Sequence, residues 1–262
     1  MCLIFIALKQ HPRYKLIVAG NRDEFYHRKT AAAAHWDDYP EVIGGRDLEA
    51  GGTWLGMTTS GKIGMITNYR DPKNINPNAP SRGYLVSDYL TKEVNAGDYT
   101  HAVAERAHLY NGFNLLTGTP EDFYYISNYG NGIQYLSEGL FGISNHLLET
   151  PWPKVVRGKQ RLRSILTRDV IQPEDLFEVL YDESFASDGE LPDTGIGLER
   201  ERALSAMFIK SPGYGTRCST VIMVDQQNNA TFIERVFDLS TFQYTSGEFN
   251  FKVEKPKALE ER

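Results

Sequence analysis

The residue at position 2 has the type and the place required for nucleophilic chemistry. Cys2 follows an initiator methionine, and an initiator methionine before a small residue can be removed. The thiol and the free α-amine of Cys2 would then share one residue, with reference pKa values near 8.5 and about 7.7–8.0. One residue would thus supply both a nucleophile and the base that activates it. If Met1 is retained, the nitrogen of Cys2 is an amide and this mechanism is lost.

Arginine and asparagine side chains at predicted strand ends are the candidate partners of this thiol. An arginine beside a thiol favours the thiolate, and an amide that donates to the oxyanion of an acyl-transfer reaction contributes about 3–4 kcal/mol. Such residues stand at the ends of apolar segments in Asn21-Arg22-Asp23-Glu24, Thr67-Asn68, Ser144-Asn145-His146 and Gly215-Thr216-Arg217. The alternative is that they only form turns and caps, as asparagine and aspartate commonly do.

Neighbouring residues in these segments cannot all reach one site, because successive side chains of a strand point to opposite faces. Asp23 and Glu24 therefore diverge and do not form a carboxylate pair. By the same alternation, if Arg217 faces the site then Cys218 faces away. This arrangement disfavours a disulfide between Cys2 and Cys218.

Two predicted hairpins bring part of this set together. Cys2–Leu8 and Lys15–Gly20 are short apolar segments on either side of a turn at His11-Pro12-Arg13. A turn centred near residue 12 gives pairs whose residue numbers sum to about 24, which places Cys2 opposite Arg22. A second hairpin, around Thr59-Ser60-Gly61, brings Asn68 to the end of its strand.

The remaining segments are predicted to form successive groups of strands and helices. Strands are predicted at Thr53–Thr58, Lys62–Tyr69, Phe113–Thr117, Phe123–Ser127, Ile133–Leu136, Thr216–Val224, Ala230–Phe237 and Phe249–Val253. Helices are predicted from a cap at Ser81 to Gly97, from a cap at Thr100 to Leu109, and over Lys154–Leu166, Pro173–Tyr181 and Leu198–Phe208, while Gly44, Gly45, Gly51 and Gly52 are assigned to turns. This order favours an antiparallel α+β fold in a single domain, 1–262, with a charged tail at about 254–262.

The composition argues against several classes of function. The formal net charge is −6 and we find no basic face, which disfavours nucleic-acid binding. The apolar segment Met1–Leu8 is far shorter than the roughly 20 residues that span a bilayer, and it lacks the basic start of a signal peptide. Two cysteines predict neither a disulfide framework nor a zinc site. We expect a cytoplasmic protein with a small-molecule partner and no integral membrane segment.

A series of ordered motifs resembles the NRDE family, also called the transport and Golgi organization protein 2 family. The motifs are Met1-Cys2-Leu3, Asn21-Arg22-Asp23-Glu24, Gly52-Thr53-Trp54-Leu55-Gly56, Thr67-Asn68-Tyr69-Arg70, Gly142-Ile143-Ser144-Asn145 and Gly215-Thr216-Arg217. The resemblance covers nearly the whole chain. Because that family is similar to N-terminal nucleophile (Ntn) hydrolases, the resemblance implies a four-layer αββα sandwich of two antiparallel sheets between helix layers.

The resemblance also implies which residues form the site. In the cysteine branch of the Ntn hydrolases, which includes bile salt hydrolases and penicillin V acylases, a processed cysteine attacks amide bonds with help from arginine, aspartate and asparagine. The matching positions in this chain are Cys2, Arg22, Asp23, Asn68, Asn145 and Arg217. In that branch two residues separate the arginine from the aspartate. Here Arg22 and Asp23 are adjacent, so one of them is expected to turn away from the thiol.

Two functions follow from these observations. The first is a cysteine hydrolase that acts on non-peptide C–N amide bonds and needs no cofactor. The alternative is a non-enzymatic protein that binds and traffics haem or another hydrophobic small molecule, as the resemblance also implies. A scaffold that retains the site without using it is the third interpretation.

Overall fold

The structure is a computed structural model that describes residues 2–254, and its regular elements there are two antiparallel sheets and helices. The strands are β1 (Cys2–Leu8), β2 (Tyr14–Phe25), β3 (Thr30–His35), β4 (Val42–Asp47), β5 (Leu55–Thr58), β6 (Ile63–Asn68), β7 (Phe113–Thr119), β8 (Asp122–Ser127), β9 (Ile133–Leu136), β10 (Gly139–Ile143), β11 (Lys210–Ser211), β12 (Tyr214–Asp225), β13 (Asn229–Phe237) and β14 (Tyr244–Lys252). The α-helices are α1 (Gly83–Thr91), α2 (Ala96–Arg106), α3 (Pro153–Leu166), α4 (Pro173–Leu180) and α5 (Leu198–Ala203). Of the predicted charged tail, residues 255–262 lie outside the described residues.

The two sheets use different parts of the chain. The first sheet has the strand order β10-β1-β2-β12-β13-β14, and the short β11 pairs with β12. The second sheet follows the chain in order from β3 to β9. The amino-terminal strand β1 therefore lies inside the first sheet, between β10 and β2, where both of its edges are hydrogen-bonded.

Alternation along β1 shows how the layers are built. Ile4, Ile6 and Leu8 pack between the two sheets with residues of the second sheet. Leu3 and Phe5 point the other way and pack against α3 and α4. A third apolar cluster joins the outer face of the second sheet to α1 and α2. The layers are thus helices, first sheet, second sheet and helices, which is the αββα sandwich expected.

Most of the predicted strands are confirmed in position. The first hairpin has the predicted register, with Cys2 opposite Arg22. The strands expected in the regions 113–136 and 216–237 are present with bounds shifted by a few residues, as is the hairpin that ends at Asn68. Within residues 2–254, no helix combines the length and the apolar composition required to cross a bilayer.

The helix boundaries in the region 81–109 were predicted wrongly. Helix α1 ends at Thr91, and Gly97 lies within α2 instead of closing the first helix. The cap of α2 is Asn95, whose side chain accepts a hydrogen bond from the backbone of Asp98 at 2.8 Å. Thr100 is buried inside α2 and donates to the carbonyl of Ala96 at 2.7 Å. Asparagine and threonine are both common helix caps, so the sequence pattern alone did not distinguish Asn95 from Thr100.

Four strands and one helix end also differ from the prediction. Gly44 and Gly45 were assigned to a turn but lie in β4, and β3, β10 and the short β11 were not predicted. A Cβ at Gly45 would lie 2.2 Å from the Trp54 ring, so this glycine makes room for the indole. The helix predicted over Leu198–Phe208 ends at Ala203. These strands and the end of α5 depend on packing against distant segments, so local sequence patterns do not predict them.

Candidate functional site

The thiol of Cys2 faces the interior between the two sheets. Arg22 lies directly opposite Cys2 on β2, and Cys218 lies opposite Arg22 on β12, so the three residues form one row across the sheet. Paired residues of antiparallel strands share a face, which is the face of Ile4 and Ile6. Cys2 is 8% exposed. Both cysteines are free thiols.

Arg22 is held by an aromatic ring and by charges. Its guanidinium carbon lies 4.3 Å from the centre of the Trp54 ring, a separation typical of a cation–π contact. The nearest carboxylates are Glu24 at 3.8 Å and Asp47 at 4.0 Å. The side chain is 5% exposed, and its Nη1 is buried without a hydrogen-bond partner. The guanidinium therefore retains donor capacity beside the thiol.

Asp23 belongs to the opposite face of β2. Its Oδ1 accepts a hydrogen bond from the Thr216 hydroxyl at 2.7 Å. Burial raises the pKa of Asp23, while the ammonium of Lys154 on α3 and the bond from Thr216 oppose that rise. Arg22 reaches Trp54, the residue directly before β5 of the second sheet, whereas Asp23 interacts on the side of the α3 helix layer. The expected divergence of the two adjacent side chains is present.

The two candidate oxyanion residues occupy different places. Asn68 lies at the end of β6 and lines the same cavity as Cys2. Asn145 is fully buried, is absent from the residues that line this cavity, and donates from Nδ2 to the carbonyl of Asn68 at 3.0 Å. The hydroxyl of Ser144 donates to the carbonyl of Cys2 at 3.3 Å. The segment 144–145 therefore joins β1 to the end of β6 and fixes Asn68 relative to Cys2.

Arg217 does not line the cavity. Thr216 pairs with Asp23 and Cys218 pairs with Arg22, so Arg217 is the extra residue of a β-bulge. Its Nη1 donates to the carbonyls of Phe25 and Arg28 at 2.9 and 2.8 Å. Because the bulge interrupts alternation, the expected arrangement, Arg217 inward and Cys218 outward, does not apply. Arg217 instead fixes the chain that follows β2.

The cavity beside Cys2 has a volume of about 410 Å³. It lies between the strand ends and the loop that leads into α1, and charged and polar groups form much of its wall. Its lining residues are Cys2, Arg22, Asp23, Glu24, Arg28, Asp47, Ala50, Thr53, Trp54, Ile66, Asn68, Pro77, Ala79, Pro80, Ser81, Arg82, Gly83 and Asn111. Four of the six predicted site residues are therefore at this cavity, whereas Asn145 and Arg217 support it from behind.

Burial of Cys2 keeps its thiol protonated at neutral pH. Burial raises the pKa of Cys2, and the neighbouring carboxylate of Asp23 acts in the same direction, while the guanidinium of Arg22 lowers it. Burial also raises the pKa of Glu24, but the backbone N–H of Phe25 and the guanidinium groups of Arg22 and Arg28 more than offset this, so its pKa is lowered. Activation of the thiol therefore requires a base.

Two residues that line the cavity, Trp54 and Arg82, and one that acts on Asp23 from behind it, Lys154, were not predicted from the sequence. Trp54 belongs to the motif Gly52-Thr53-Trp54-Leu55-Gly56, but its contact with Arg22 joins segments far apart in the chain and has no local signal. Arg82 lies in a loop without any distinguishing pattern. Lys154 is the second residue of α3, is 1% exposed, and has a buried Nζ without a hydrogen-bond partner. A lysine near the start of a helix gives no indication that it is buried.

Comparison with solved structures shows the fold class. The chain is similar to a Caenorhabditis elegans N-acylethanolamine-hydrolyzing acid amidase ortholog, with a TM-score of 0.51 and 12% identity over 85% of this chain and 92% of that one. It is also similar to the C2A mutant of conjugated bile acid hydrolase from Clostridium perfringens, with a TM-score of 0.51 and 8% identity over 97% and 98%. At these identities the likeness concerns the fold, which is that of the Ntn hydrolases.

Sequence comparison assigns the family within this class. The transport and Golgi organisation 2 family matches residues 1–239. The Bos taurus transport and Golgi organization protein 2 homolog is 39% identical over 96% of this chain and 100% of its own length. The Drosophila melanogaster transport and Golgi organization protein 2 is 31% identical over 89% and 91%. This chain belongs to the transport and Golgi organisation 2 family.

Proposed function

We propose that this chain is a hydrolase of non-peptide C–N amide bonds, with Cys2 as its nucleophile after removal of Met1. The observation that carries the proposal is the row formed by Cys2 and Arg22 at the wall of the 410 Å³ cavity. A thiol and an arginine with an unused donor face one space large enough for a small substrate.

The first step is proton transfer within Cys2. Because burial raises the pKa of the thiol, the thiol is neutral at pH 7. The α-amine freed by loss of Met1 has an ordinary pKa of about 7.7–8.0 and accepts the thiol proton. Arg22 stabilises the thiolate that forms, because its guanidinium shares a face of the sheet with the thiol.

The thiolate then attacks the carbonyl carbon of the substrate. A C–S bond forms, the carbonyl π electrons move to oxygen, and the side-chain amide of Asn68 donates to this oxyanion. The C–N bond breaks, and the departing amine takes the proton from the α-ammonium of Cys2. Water then gives a proton to the same α-amine and adds to the thioester carbonyl carbon. The C–S bond breaks, the acid leaves, and the thiolate takes the proton back from the α-ammonium, which restores the free thiol. No cofactor is needed for this sequence.

Residues behind the cavity hold these groups in place. The bond from Asn145 to the carbonyl of Asn68, 3.0 Å long, fixes the strand end that presents the Asn68 amide. On the other face of β2, the bond between Thr216 and Asp23, 2.7 Å long, fixes the strand that carries Arg22. The solved structures with this fold include an acid amidase and a bile acid hydrolase by their own descriptions, which agrees with this reaction class.

The haem-binding alternative receives less support from the cavity. Cys2 is a possible sulfur ligand, but no histidine is among the lining residues. Three arginines and three carboxylate residues are part of the wall, whereas a porphyrin ring requires extensive apolar surface. Spectral titration of the purified protein with haem tests this alternative, and a saturable shift that is lost in Cys2→Ala would favour it.

Intact-mass measurement followed by an activity screen tests the hydrolase. We expect a mass that lacks Met1, and release of amine from one or more of a panel of N-acyl amides with fluorogenic leaving groups. Cys2→Ala should abolish turnover, whereas Cys218→Ser should keep it within about twofold, because Cys218 does not line the cavity. Retention of Met1 throughout the population, or equal turnover by Cys2→Ala, contradicts the proposal.

A further inference from the structure

Arg82 brings a third guanidinium to the cavity that contains Cys2. It is the residue directly before α1 and lines the cavity together with Ser81 and Gly83. Its Nη1 donates to the carbonyl of Gly112 at 2.8 Å. Among residues 2–254, no carboxylate lies within ion-pair distance of Arg82.

Two carboxylates of the wall, those of Asp47 and Glu24, interact with groups other than Arg82. Asp47 accepts a hydrogen bond from Nε of Arg28 at 2.7 Å. Glu24 accepts from the backbone of Phe25 at 2.9 Å and lies 4.0 Å from Arg28. The guanidinium of Arg22 is 3.8 Å or more from both carboxylates, and its Nη1 has no hydrogen-bond partner although it is buried. Arg22 thus presents a buried donor without a partner, and Arg82 presents a guanidinium whose charge is not paired by a carboxylate of residues 2–254.

Helix α1 adds a positive potential at the same place. Its first turn contains no acidic residue and its amino terminus has no side-chain cap. The partial positive charge of a helix start favours an anion. A Cβ at Gly52 would lie 2.4 Å from the carbonyl carbon of Gly83, so this glycine allows the strand loop and the helix start to meet at the cavity wall.

We infer that the cavity binds an anionic group of the carboxylate or phosphate type, carried by the substrate, and that Arg82 determines this specificity. A buried cation without a counter-charge is costly, and an anion between the two side chains would accept from the free Nη1 of Arg22 and pair with the charge of Arg82. The inference deepens the proposed function, since it places this anion beside the thiol of Cys2. It assigns the substrate class as acyl amides that bear a negative charge.

Alkylation of Cys2 by two reagents of different charge tests the site without any substrate. Iodoacetate and iodoacetamide react by the same step, in which the thiolate displaces iodide, but only iodoacetate is an anion. In a Cys218→Ser background Cys2 is the sole thiol. We expect the ratio of the iodoacetate rate to the iodoacetamide rate to exceed that of an exposed cysteine peptide by about tenfold, equivalent to about 1.4 kcal/mol.

Matched arginine variants locate the origin of this preference. Arg82→Gln should remove most of the excess ratio, whereas Arg82→Lys, which keeps the charge, should retain part of it. Arg13→Gln is the control, because Arg13 lies in the turn at the opposite end of β1 and β2 and does not line this cavity. Thermal unfolding of each variant shows whether the fold is intact.

Protection of the unsubstituted protein gives a second measurement that needs no arginine variant. Inorganic phosphate and acetate should each slow alkylation of Cys2 by iodoacetamide in a saturable manner, and the stronger of the two distinguishes a phosphate from a carboxylate. A ratio equal to that of the peptide, an unchanged ratio in folded Arg82→Gln, or no protection by either anion would overturn the inference. Loss of turnover alone would contradict only the hydrolase, because alkylation does not require turnover.

Discussion

The guanidinium of Arg22 lies 4.3 Å from the centre of the Trp54 ring, and this contact joins the strand beside Cys2 to the residue that directly precedes β5 of the second sheet. Trp54 in turn packs against the core between the sheets and against the α1 and α2 layer. The stacking holds Arg22 in place while leaving its Nη1 without a hydrogen bond. The orientation of the Arg22 guanidinium near the thiol therefore depends on a residue of a distant segment, which leads into β5.

A double-mutant cycle should detect this contact. With Arg22→Met, Trp54→Leu and the double variant, we expect a coupling free energy of about 1–2 kcal/mol, as is typical of a desolvated cation–π pair. Urea unfolding of the four proteins measures it. Trp54→Phe should keep part of the coupling because the ring face is retained. Additive effects within about 0.3 kcal/mol would contradict a direct interaction.

The pH dependence of alkylation should report the environment of Cys2. Burial raises the pKa of this thiol and Arg22 lowers it. In a Cys218→Ser background, the iodoacetamide rate should therefore rise with a midpoint above that of an exposed cysteine, about 8.5. Arg22→Gln should move the midpoint further up, because removal of the cation destabilises the thiolate. Arg13→Gln should leave it unchanged, and a downward shift in Arg22→Gln would contradict the assignment.

Stability should depend on pH through the buried Lys154. Burial lowers its pKa to about 8, although the carboxylate of Asp23 opposes this. An unfolded lysine titrates near 10.4, so between about pH 8 and 10 the unfolded chain binds more protons at this residue than the native chain does. The contribution of Lys154 to the free energy of unfolding therefore rises with pH, by at most about 1.4 kcal/mol per unit. Below about pH 8 Lys154 is charged in both the native and the unfolded state, so its unfavourable contribution to the free energy of unfolding no longer changes with pH.

A Lys154→Met variant separates the contribution of Lys154 to stability from that of the other titratable groups. The free energy of unfolding of the unsubstituted chain minus that of Lys154→Met should increase between pH 8 and 10. The same difference for Lys29→Met, an exposed lysine, provides the control. Urea unfolding at each pH measures both. A flat or falling difference for Lys154→Met would show that the lysine is solvated in the native state.

Two ion pairs, formed by the neighbouring α5 residues Glu201 and Arg202, should differ strongly in their effect on stability. Arg70 and Glu201 are 2.6 Å apart with side chains 6% and 4% exposed, whereas Arg202 and Asp188 are 2.7 Å apart at 40% and 54% exposure. Glu201→Gln leaves a buried guanidinium without its counter-charge and should cost about 3–5 kcal/mol. Asp188→Asn should cost at most about 1 kcal/mol. Comparable losses in the two variants, measured by urea unfolding, would contradict this contrast.

Part of the fold was readable from short-range patterns. The apolar segments of β1 and β2, separated by a short turn, fix a hairpin register, and that register sets Arg22 opposite Cys2. The fold class follows from the order of strand and helix blocks and from the family resemblance. The strands β3 and β4 escaped prediction because alanine and glycine carry little strand preference, and packing against other segments determines their conformation.

The sequence by itself determined that a thiol near the chain start shares a sheet face with an arginine, because pairing and alternation in a hairpin are local. It also determined that adjacent Arg22 and Asp23 diverge. Only the tertiary structure decided that Asn68 reaches the cavity while Asn145 supports it, that Arg217 sits in a bulge, that Trp54 and Arg82 line the cavity, and that Lys154 is buried near Asp23. These placements depend on contacts between segments far apart in the chain, and burial, counter-charges and free donors exist only once those segments have packed.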